Sequence, residues 1–118
     1  MAILHHVRAL QYQNTAANSD KIWAIAIIED DTGEMQQVVL WGRRGQPLKL
    51  QVHSTRMVSS DTCDYNAYWR AREKWKEGYR PVTWNDPSLG ILPAVYKAYR
   101  NIILNVRESS VGSSAIYS

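Results

Sequence analysis

The sequence predicts an α+β fold, with an antiparallel sheet built first along the chain and helices after it. Two apolar runs, residues 22–28 and 36–41, are separated by a short acidic turn, and this arrangement is typical of a β-hairpin. Beyond residue 60 the apolar spacing lengthens from the period of a strand to that of a helix. Strands followed by helices, in that order, favour helices packed on an antiparallel sheet.

Four segments are predicted to form the strands of this sheet. The second is expected to be central, because the face that carries Trp23 and the face that carries Ile22 are both apolar. Gly33 supplies the backbone freedom that the acidic turn needs. The fourth is predicted to be a further core strand, with Leu48 and Val52 on its apolar side. The four segments are residues 6–13, 22–28, 36–41 and 48–58.

A first helix is predicted after these strands, with Asp61 as its N-cap and Gly78 at its C-terminal end. A carboxylate at the N-cap accepts backbone N–H groups of the first turn, and glycine tolerates the left-handed backbone that ends many helices. On the exposed side of this helix, Trp69 and Arg72 are candidates for contact with a ligand. The apolar stripe expected to pack on the sheet is Tyr68, Ala71, Trp75 and Tyr79.

A second, C-terminal helix is predicted near residues 93–107. Pro93 is tolerated there because the first turn of a helix leaves its N–H groups unbonded. Residues 109–118 are polar and rich in serine, and are expected to form a frayed tail. The stripe of the second helix is Ile91, Val95, Ala98, Ile102 and Val106.

Positive charge is concentrated in the middle of the chain. The 118 residues carry a net charge of +3, but residues 41–80 alone hold nine basic and four acidic side chains, a net +5. A basic segment of this kind is the expected electrostatic mark of a polyanion partner. An ordinary basic surface explains the same charge, and composition leaves the choice open.

Several other classes of function have little support in the sequence. Cys63 is the only cysteine, so neither an internal disulfide nor a cysteine-rich zinc site can form. His5 and His6 are adjacent and are expected to point to opposite faces of a strand, which disfavours a shared metal. No catalytic or phosphate-loop motif is present, and we expect a binding protein without cofactor or metal rather than an enzyme. A small hydrolase using Cys63 or a histidine such as His53 remains the catalytic alternative.

The sequence also lacks a run of about 18 apolar residues, so no membrane-spanning helix is expected. The first ten residues have no apolar core of signal-peptide length. A cytoplasmic protein without membrane contact is the prediction that follows.

The tripeptide Trp41-Gly42-Arg43 is the motif that carries most information about binding. It stands where a predicted strand ends and a loop begins, and Arg44 and Lys49 follow it closely. An indole can stack on a base or sugar, glycine allows close approach, and a guanidinium can hold a phosphate with two parallel bonds. A tryptophan at the edge of the core, followed by a tight turn, explains the same three residues without a ligand.

The surroundings of this tripeptide resemble a WGR domain over roughly residues 7–80. Residues 18–23 are similar to the family's entry motif, which runs from an asparagine turn through lysine to an aromatic residue. The acidic hairpin then ends in Trp-Gly-Arg, Gly45 and Gln46 follow as in the family, and residues 73–79 resemble its closing Lys–Gly–Tyr helix. The loop after the motif is shorter than usual, and Arg44 replaces a residue that is commonly apolar.

The resemblance implies a curved antiparallel sheet of about four strands, with a helix packed on one face. WGR domains occur in DNA-dependent poly(ADP-ribose) polymerases, where they bind DNA near breaks, and in small bacterial proteins. By this resemblance Trp41 packs on a sugar, Gly42 allows close approach and Arg43 contacts phosphate, while Arg44 and Lys49 add positive charge. The expected partner is therefore DNA, bound with weak sequence preference and with ends or nicks as the favoured sites.

The chain is expected to consist of a WGR-like domain, residues 1–80, and a C-terminal extension, residues 81–118. In the polymerases the WGR domain also contacts neighbouring domains, so the resemblance allows a second role as a protein-interaction module. The apolar stripe of the helix at residues 93–107 is the surface expected to mediate such contacts or self-association.

Overall fold

The computed structural model describes residues 1–56 and 59–104. Within these residues the chain forms one sheet of six strands and two α-helices, which confirms the predicted α+β class. A short 3-10 helix, Pro87–Leu89, precedes the second α-helix. The strands are β1 (Ile3–Asn14), β2 (Ser19–Glu29), β3 (Met35–Arg43), β4 (Lys49–Ser54), β5 (Arg80–Val82) and β6 (Ile103–Leu104). The helices are α1 (Ser60–Lys76) and α2 (Ile91–Ala98).

The sheet is antiparallel except at one short strand. Its order is β4-β3-β2-β1-β5, and β6 pairs in parallel with the start of β1. The strands β2 and β3 form the predicted hairpin, and every residue from 22 to 28 is buried, so the central position of β2 is confirmed. The short strands β5 and β6 both lie along β1 and were not predicted, because two or three residues carry no readable periodicity.

The two faces of the sheet are covered by different parts of the chain. On one face, α1 brings its small residues Cys63, Ala67 and Ala71 against the sheet. On the other face, the segment after β5 packs Trp84 and Val95 on the sheet. The alternation of side chains along β2 and β3 therefore decides which residues lie beside α1.

Helix α1 begins and packs differently from the prediction. Its N-cap is Ser59, whose hydroxyl accepts the N–H of Thr62 at 3.4 Å, so the prediction of Asp61 as N-cap is wrong. Asp61 lies instead in the first turn. The residues of α1 that face the sheet are smaller than predicted, because small side chains let the helix approach the sheet closely. Tyr68 and Trp75 of the predicted stripe are only half-buried. The predicted end at Gly78 agrees with the C-cap at Glu77 and the positive φ of Gly78.

Two other predicted elements differ in extent. Strand β4 is a largely exposed edge strand rather than a core strand, since only β3 pairs with it. Helix α2 ends at Ala98, because Tyr99 adopts extended backbone. Residues Ile91 and Val95 of its stripe are buried in the chain's own core, so they form no free apolar surface. The prediction of a strand as far as residue 58 is wrong at its end, because β4 stops at Ser54 and Arg56 has a positive φ of 58°. Residues 57–58, Val106 of the stripe and the tail at 109–118 lie outside the described residues.

The acidic turn of the hairpin is held by one carboxylate. Asp30 accepts hydrogen bonds from the backbone and hydroxyl of Thr32 at 2.9 and 2.6 Å, the N–H of Glu34 at 3.0 Å and the amide of Gln36 at 2.9 Å. These donors, chiefly Thr32 and Gln36, hold the pKa of Asp30 at about 2, below its ordinary value of 3.8. The turn is therefore stabilised by the ionised form of this side chain.

Because the folded pKa of Asp30 is lowered, its contribution to stability is present above about pH 4 and is lost as the pH falls toward 2. We expect Asp30→Asn to have a lower free energy of unfolding than wild type at neutral pH. The difference between the two free energies should shrink as the pH falls from about 4 toward 2. Urea unfolding of both proteins between pH 2 and pH 7 measures this. A gap that stays constant with pH would contradict the assignment.

Candidate nucleic-acid interface

The predicted motif lies at the end of the β2–β3 hairpin farthest from its turn. In the register of the sheet, Trp41 stands opposite Trp23 of β2 and Lys49 of β4, and Arg43 stands opposite Lys21. Directly opposed residues of antiparallel strands point to the same face. The indole and these three cations therefore share the face on which α1 packs.

An open cleft of about 440 Å³ lies on this part of the surface. Trp41 contributes a side chain that is 37% exposed, although it stands at the end of an otherwise buried strand. The cleft combines an aromatic surface with cationic groups, as a site for a sugar–phosphate chain requires. Its lining residues are Lys21, Ile22, Trp41, Gly42, Arg43 and Tyr79.

Arg43 is fixed by the loop between β1 and β2. Its guanidinium donates to the backbone oxygen of Asn18 at 2.9 Å and to the side-chain oxygen of Asn18 at 3.3 Å. Asn18 has a φ of 50°, a left-handed conformation that asparagine tolerates better than most residues. A guanidinium has five N–H donors, so Arg43 is oriented by these bonds and keeps donors for a ligand.

Arg44 makes more contacts within the protein than Arg43 does, and one of them is an ion pair. Its backbone N–H donates to the carbonyl of Asp20 at 2.9 Å, and its Nε lies 2.9 Å from Oδ2 of the same residue. Asp20 also accepts from the amide of Gln11 at 2.7 Å, and this bond, with the charge of Arg44, lowers the pKa of Asp20. Arg44 therefore ties the loop to β2, and its charge is partly balanced by a carboxylate.

Gly42 is required by the chain itself. Its φ is 152°, and a Cβ at this position would lie 3.3 Å from Cδ2 of Leu48. The close approach is thus between two segments of the protein that flank the β3–β4 loop. Trp41 and Arg43 point to the opposite face of the strand from this contact.

We expect Gly42→Ala to lower the free energy of unfolding by about 1–2 kcal/mol, through backbone strain and contact with Leu48. Thermal or urea unfolding measures the loss. Gly45→Ala is the matched control, because Gly45 also has a positive φ, 87°, but a Cβ there meets nothing within 4 Å. Equal losses in the two variants would show that Leu48 contributes nothing.

Three residues of the cleft, Lys21, Ile22 and Tyr79, were not among the predicted site residues. Lys21 is found by counting the hairpin register outward from its turn, which places it opposite Arg43. Tyr79 comes from the end of α1, where it packs against Tyr12 with ring centroids 5.6 Å apart and carries Lys74 Nζ 5.7 Å from its ring. Burial raises the pKa of Tyr79, so its hydroxyl stays protonated near neutral pH and can donate a hydrogen bond.

The residues considered for metal binding or catalysis are arranged differently from the prediction. A β-bulge between Leu4 and His6 leaves the rings of His5 and His6 only 6.3 Å apart, so the expectation that they face opposite ways is wrong. Each lies near its own carboxylate, His5 at 2.9 Å from Glu29 and His6 at 3.6 Å from Asp61. Among residues 1–56 and 59–104, no group of three metal-ligating side chains is placed to hold an ion.

The environment of Cys63 suits a packed thiol. Its side chain is fully buried beneath α1, and burial raises its pKa, so the thiolate needed for nucleophilic attack is disfavoured. In the part of the chain that the structure describes, no helix has the length and apolar character needed to cross a membrane.

Comparison with known proteins gives one match. The sequence model of the WGR domain matches residues 6–85, about two thirds of the chain. Curated proteins and solved structures give no match. WGR domains are binding or regulatory modules and are not themselves catalytic. The matched span includes the hairpin, the Trp-Gly-Arg motif, α1 and Tyr79, which lines the cleft, and the chain belongs to the WGR domain family.

Proposed function

We propose that this domain binds DNA along its sugar–phosphate backbone at the cleft beside Trp41, and that it prefers ends or nicks. One observation carries the proposal: an exposed indole shares a cleft with Lys21 and Arg43. Among the described residues, neither cation has a carboxylate within 4.0 Å, so their charge is available to a polyanion. The WGR family is consistent with nucleic-acid binding.

Each residue of the cleft has a distinct role in this proposal. Trp41 packs on a sugar or base, and Arg43 donates to a phosphate with the N–H groups that Asn18 leaves unused. Lys21 and Lys49 add point charges on the same face, and Arg44 adds a weaker one because Asp20 balances it. Gly42 keeps β3 close to Leu48 and so positions its two neighbours.

The preference for ends follows from what the indole needs. Inside a duplex the faces of the bases are covered by their neighbours, and a terminal sugar or base offers a free face. Trp41 can use such a face, whereas Arg43 and Lys21 can bind phosphate anywhere along the chain. A nick or an end therefore offers contacts that an intact duplex does not.

Fluorescence anisotropy tests the proposal with five ligands: covalently closed duplex, blunt duplex, 5′-phosphorylated nicked duplex, single-stranded DNA and RNA. If Lys21, Arg43 and Lys49 each neutralise one phosphate, log K should fall against log salt with a slope of about −3. Nicked duplex should bind more tightly than covalently closed duplex. Salt-insensitive binding, or equal affinity for nicked and closed DNA, would contradict the backbone mode or the end preference respectively.

Arg43→Ala should weaken binding to every DNA ligand by a similar factor and make the salt slope shallower by about 1. The reason is that Arg43 contacts phosphate, which carries no sequence information. The same anisotropy series measures both effects. A loss confined to one sequence, with the slope unchanged, would show that Arg43 reads bases instead.

A further inference from the structure

Helix α1 carries a second aromatic surface on the side that faces away from the sheet. Tyr65 is 64% exposed and Trp69, one turn later, is 50% exposed. The ring of Trp69 is held edge-on by Tyr65 at 6.2 Å and by Tyr68 at 5.2 Å, with interplanar angles of 82° and 77°. A half-exposed indole that is already ordered by two tyrosines loses little further freedom when a flat ligand covers it.

Cations lie next to this surface along the helix. The guanidinium of Arg72 is 5.8 Å from the ring centroid of Trp75, and that of Arg80 is 5.2 Å from the same centroid. Arg80 is fixed further, since it donates to the backbone oxygens of Trp75 at 3.1 Å and Tyr79 at 2.8 Å. Both guanidinium groups therefore lie beside one indole, and each keeps N–H donors that can contact an anion.

The carboxylates of this helix are committed elsewhere. Glu73 pairs with Lys76 at 3.6 Å, and Glu77 pairs with Lys74 at 3.6 Å. Within the described part of the chain, no carboxylate lies within 4.0 Å of the guanidinium of Arg72 or Arg80. The aromatic surface is therefore bordered by positive charge that no acidic side chain balances.

Residues 79 and 80 connect this surface to the cleft beside Trp41 along the chain. Arg80 follows directly on Tyr79, which lines the cleft, and Arg72 and Trp69 lie on successive turns back along α1. We propose that the outer surface of α1, defined by Tyr65, Trp69, Arg72 and Arg80, binds an unpaired DNA strand that leaves a duplex held at the cleft. The proposal rests on the proposed function, and it names the substrate as DNA with a single-stranded tail.

The choice of an unpaired strand follows from the residues. Stacking on Trp69 needs a base with a free face, which a paired and stacked base lacks. Arg72 and Arg80 can contact phosphates between Trp69 and the cleft, so the surface offers stacking at one end and positive charge toward the other. A single strand presents free base faces and phosphates together and can use both.

The test compares a blunt duplex with the same duplex carrying a single-stranded DNA tail of about six nucleotides, a length within the usual site sizes of such binders. Wild type should bind the tailed duplex more tightly. Trp69→Ala should lose about 5- to 150-fold on the tailed duplex and be unchanged on the blunt one, while Trp69→Tyr should retain most of the preference. Tyr96→Ala, which removes an exposed aromatic on α2, is the matched control and should bind both like wild type.

Each outcome separates this inference from the proposed function. If Trp69→Ala changes the affinity for neither duplex, or changes both affinities equally, the tail site is overturned. The cleft is tested separately by the Trp41 and Arg43 variants. If the preference for the tailed duplex depends on Trp69 but Trp41→Ala binds the blunt duplex like wild type, the single-strand site on α1 is supported and the proposed cleft site is contradicted. Wild type that binds neither ligand overturns both. A Trp69-dependent change in the sedimentation of the protein alone makes the surface an interface between copies and overturns the tail site.

Discussion

The Trp41→Ala/Arg43→Ala double variant is expected to bind DNA at least about 100-fold more weakly than wild type. Removing a stacking aromatic costs about 1–3 kcal/mol, and removing a hydrogen bond that involves a charged group costs about 1.5–3 kcal/mol. Together these losses correspond to about two or more decades in affinity. Trp41 is 37% exposed and, among the described residues, the side chain of Arg43 hydrogen-bonds only to Asn18, so most of the loss should fall on binding and little on folding.

Anisotropy with nicked duplex measures this loss, and urea unfolding verifies that the variant is folded. The matched control is Arg56→Ala/Arg100→Ala, which removes two exposed cations from other parts of the surface. Arg56 follows β4, whose last residue pairs with Gln36 near the hairpin turn, so it lies far from Trp41 along the sheet. The control should lose only a few-fold at low salt. A control as weak as the double variant would mean that net charge, not the cleft, holds DNA.

Arg8→Met is expected to lower the free energy of unfolding by about 3 kcal/mol. Arg8 joins β1 to α1 through two bonds to Asp64, from Nε at 3.0 Å and from Nη2 at 2.8 Å. Both side chains are largely buried, at 12% and 16% exposed. The variant therefore leaves a carboxylate without its charged partner in a poorly hydrated site, which is the main source of the cost.

The double variant Arg8→Met/Asp64→Leu tests this explanation. With both charges replaced by apolar side chains, most of the lost stability should return, because no buried charge is left unpaired. Urea unfolding of wild type, the single variant and the double variant gives the three free energies. A double variant no more stable than Arg8→Met would mean that Arg8 acts chiefly through packing, such as its contact 5.7 Å from the ring centroid of Tyr68.

The central part of the fold was predictable because its signals are long and regular. Residues 22–28 are apolar on both faces, and the short acidic turn leaves one way to pair them with residues 36–41. That pairing places Trp41 opposite Trp23 and Lys21 opposite Arg43, although Lys21 was not among the predicted site residues. The location of the motif at a strand end was therefore available from the residues alone.

The rest depended on packing that local patterns do not record. The large aromatics of α1 match a helical stripe, yet the sheet accepts Cys63, Ala67 and Ala71 because small side chains allow a close approach. The predicted helix at residues 93–107 continued through Ile103, which instead pairs with Ile3 of β1. A free strand edge competes with helix propensity there, and only the assembled sheet reveals it. Tyr79 reaches the cleft for a similar reason, since its position follows from where α1 ends.

The hairpin also separates charge along the molecule. Its turn carries Asp30, Asp31 and Glu34, while its open end carries Lys21 and Arg43, about 27 Å away along β3. Such a separation acts as an electric dipole, and a dipole experiences a torque in the field of a polyanion. The domain would therefore be turned before contact, basic end forward, and a duplex lying alongside the hairpin would be repelled by its acidic turn. Under the proposed function, this orientation during the encounter would add to the preference for DNA ends that the cleft contacts provide.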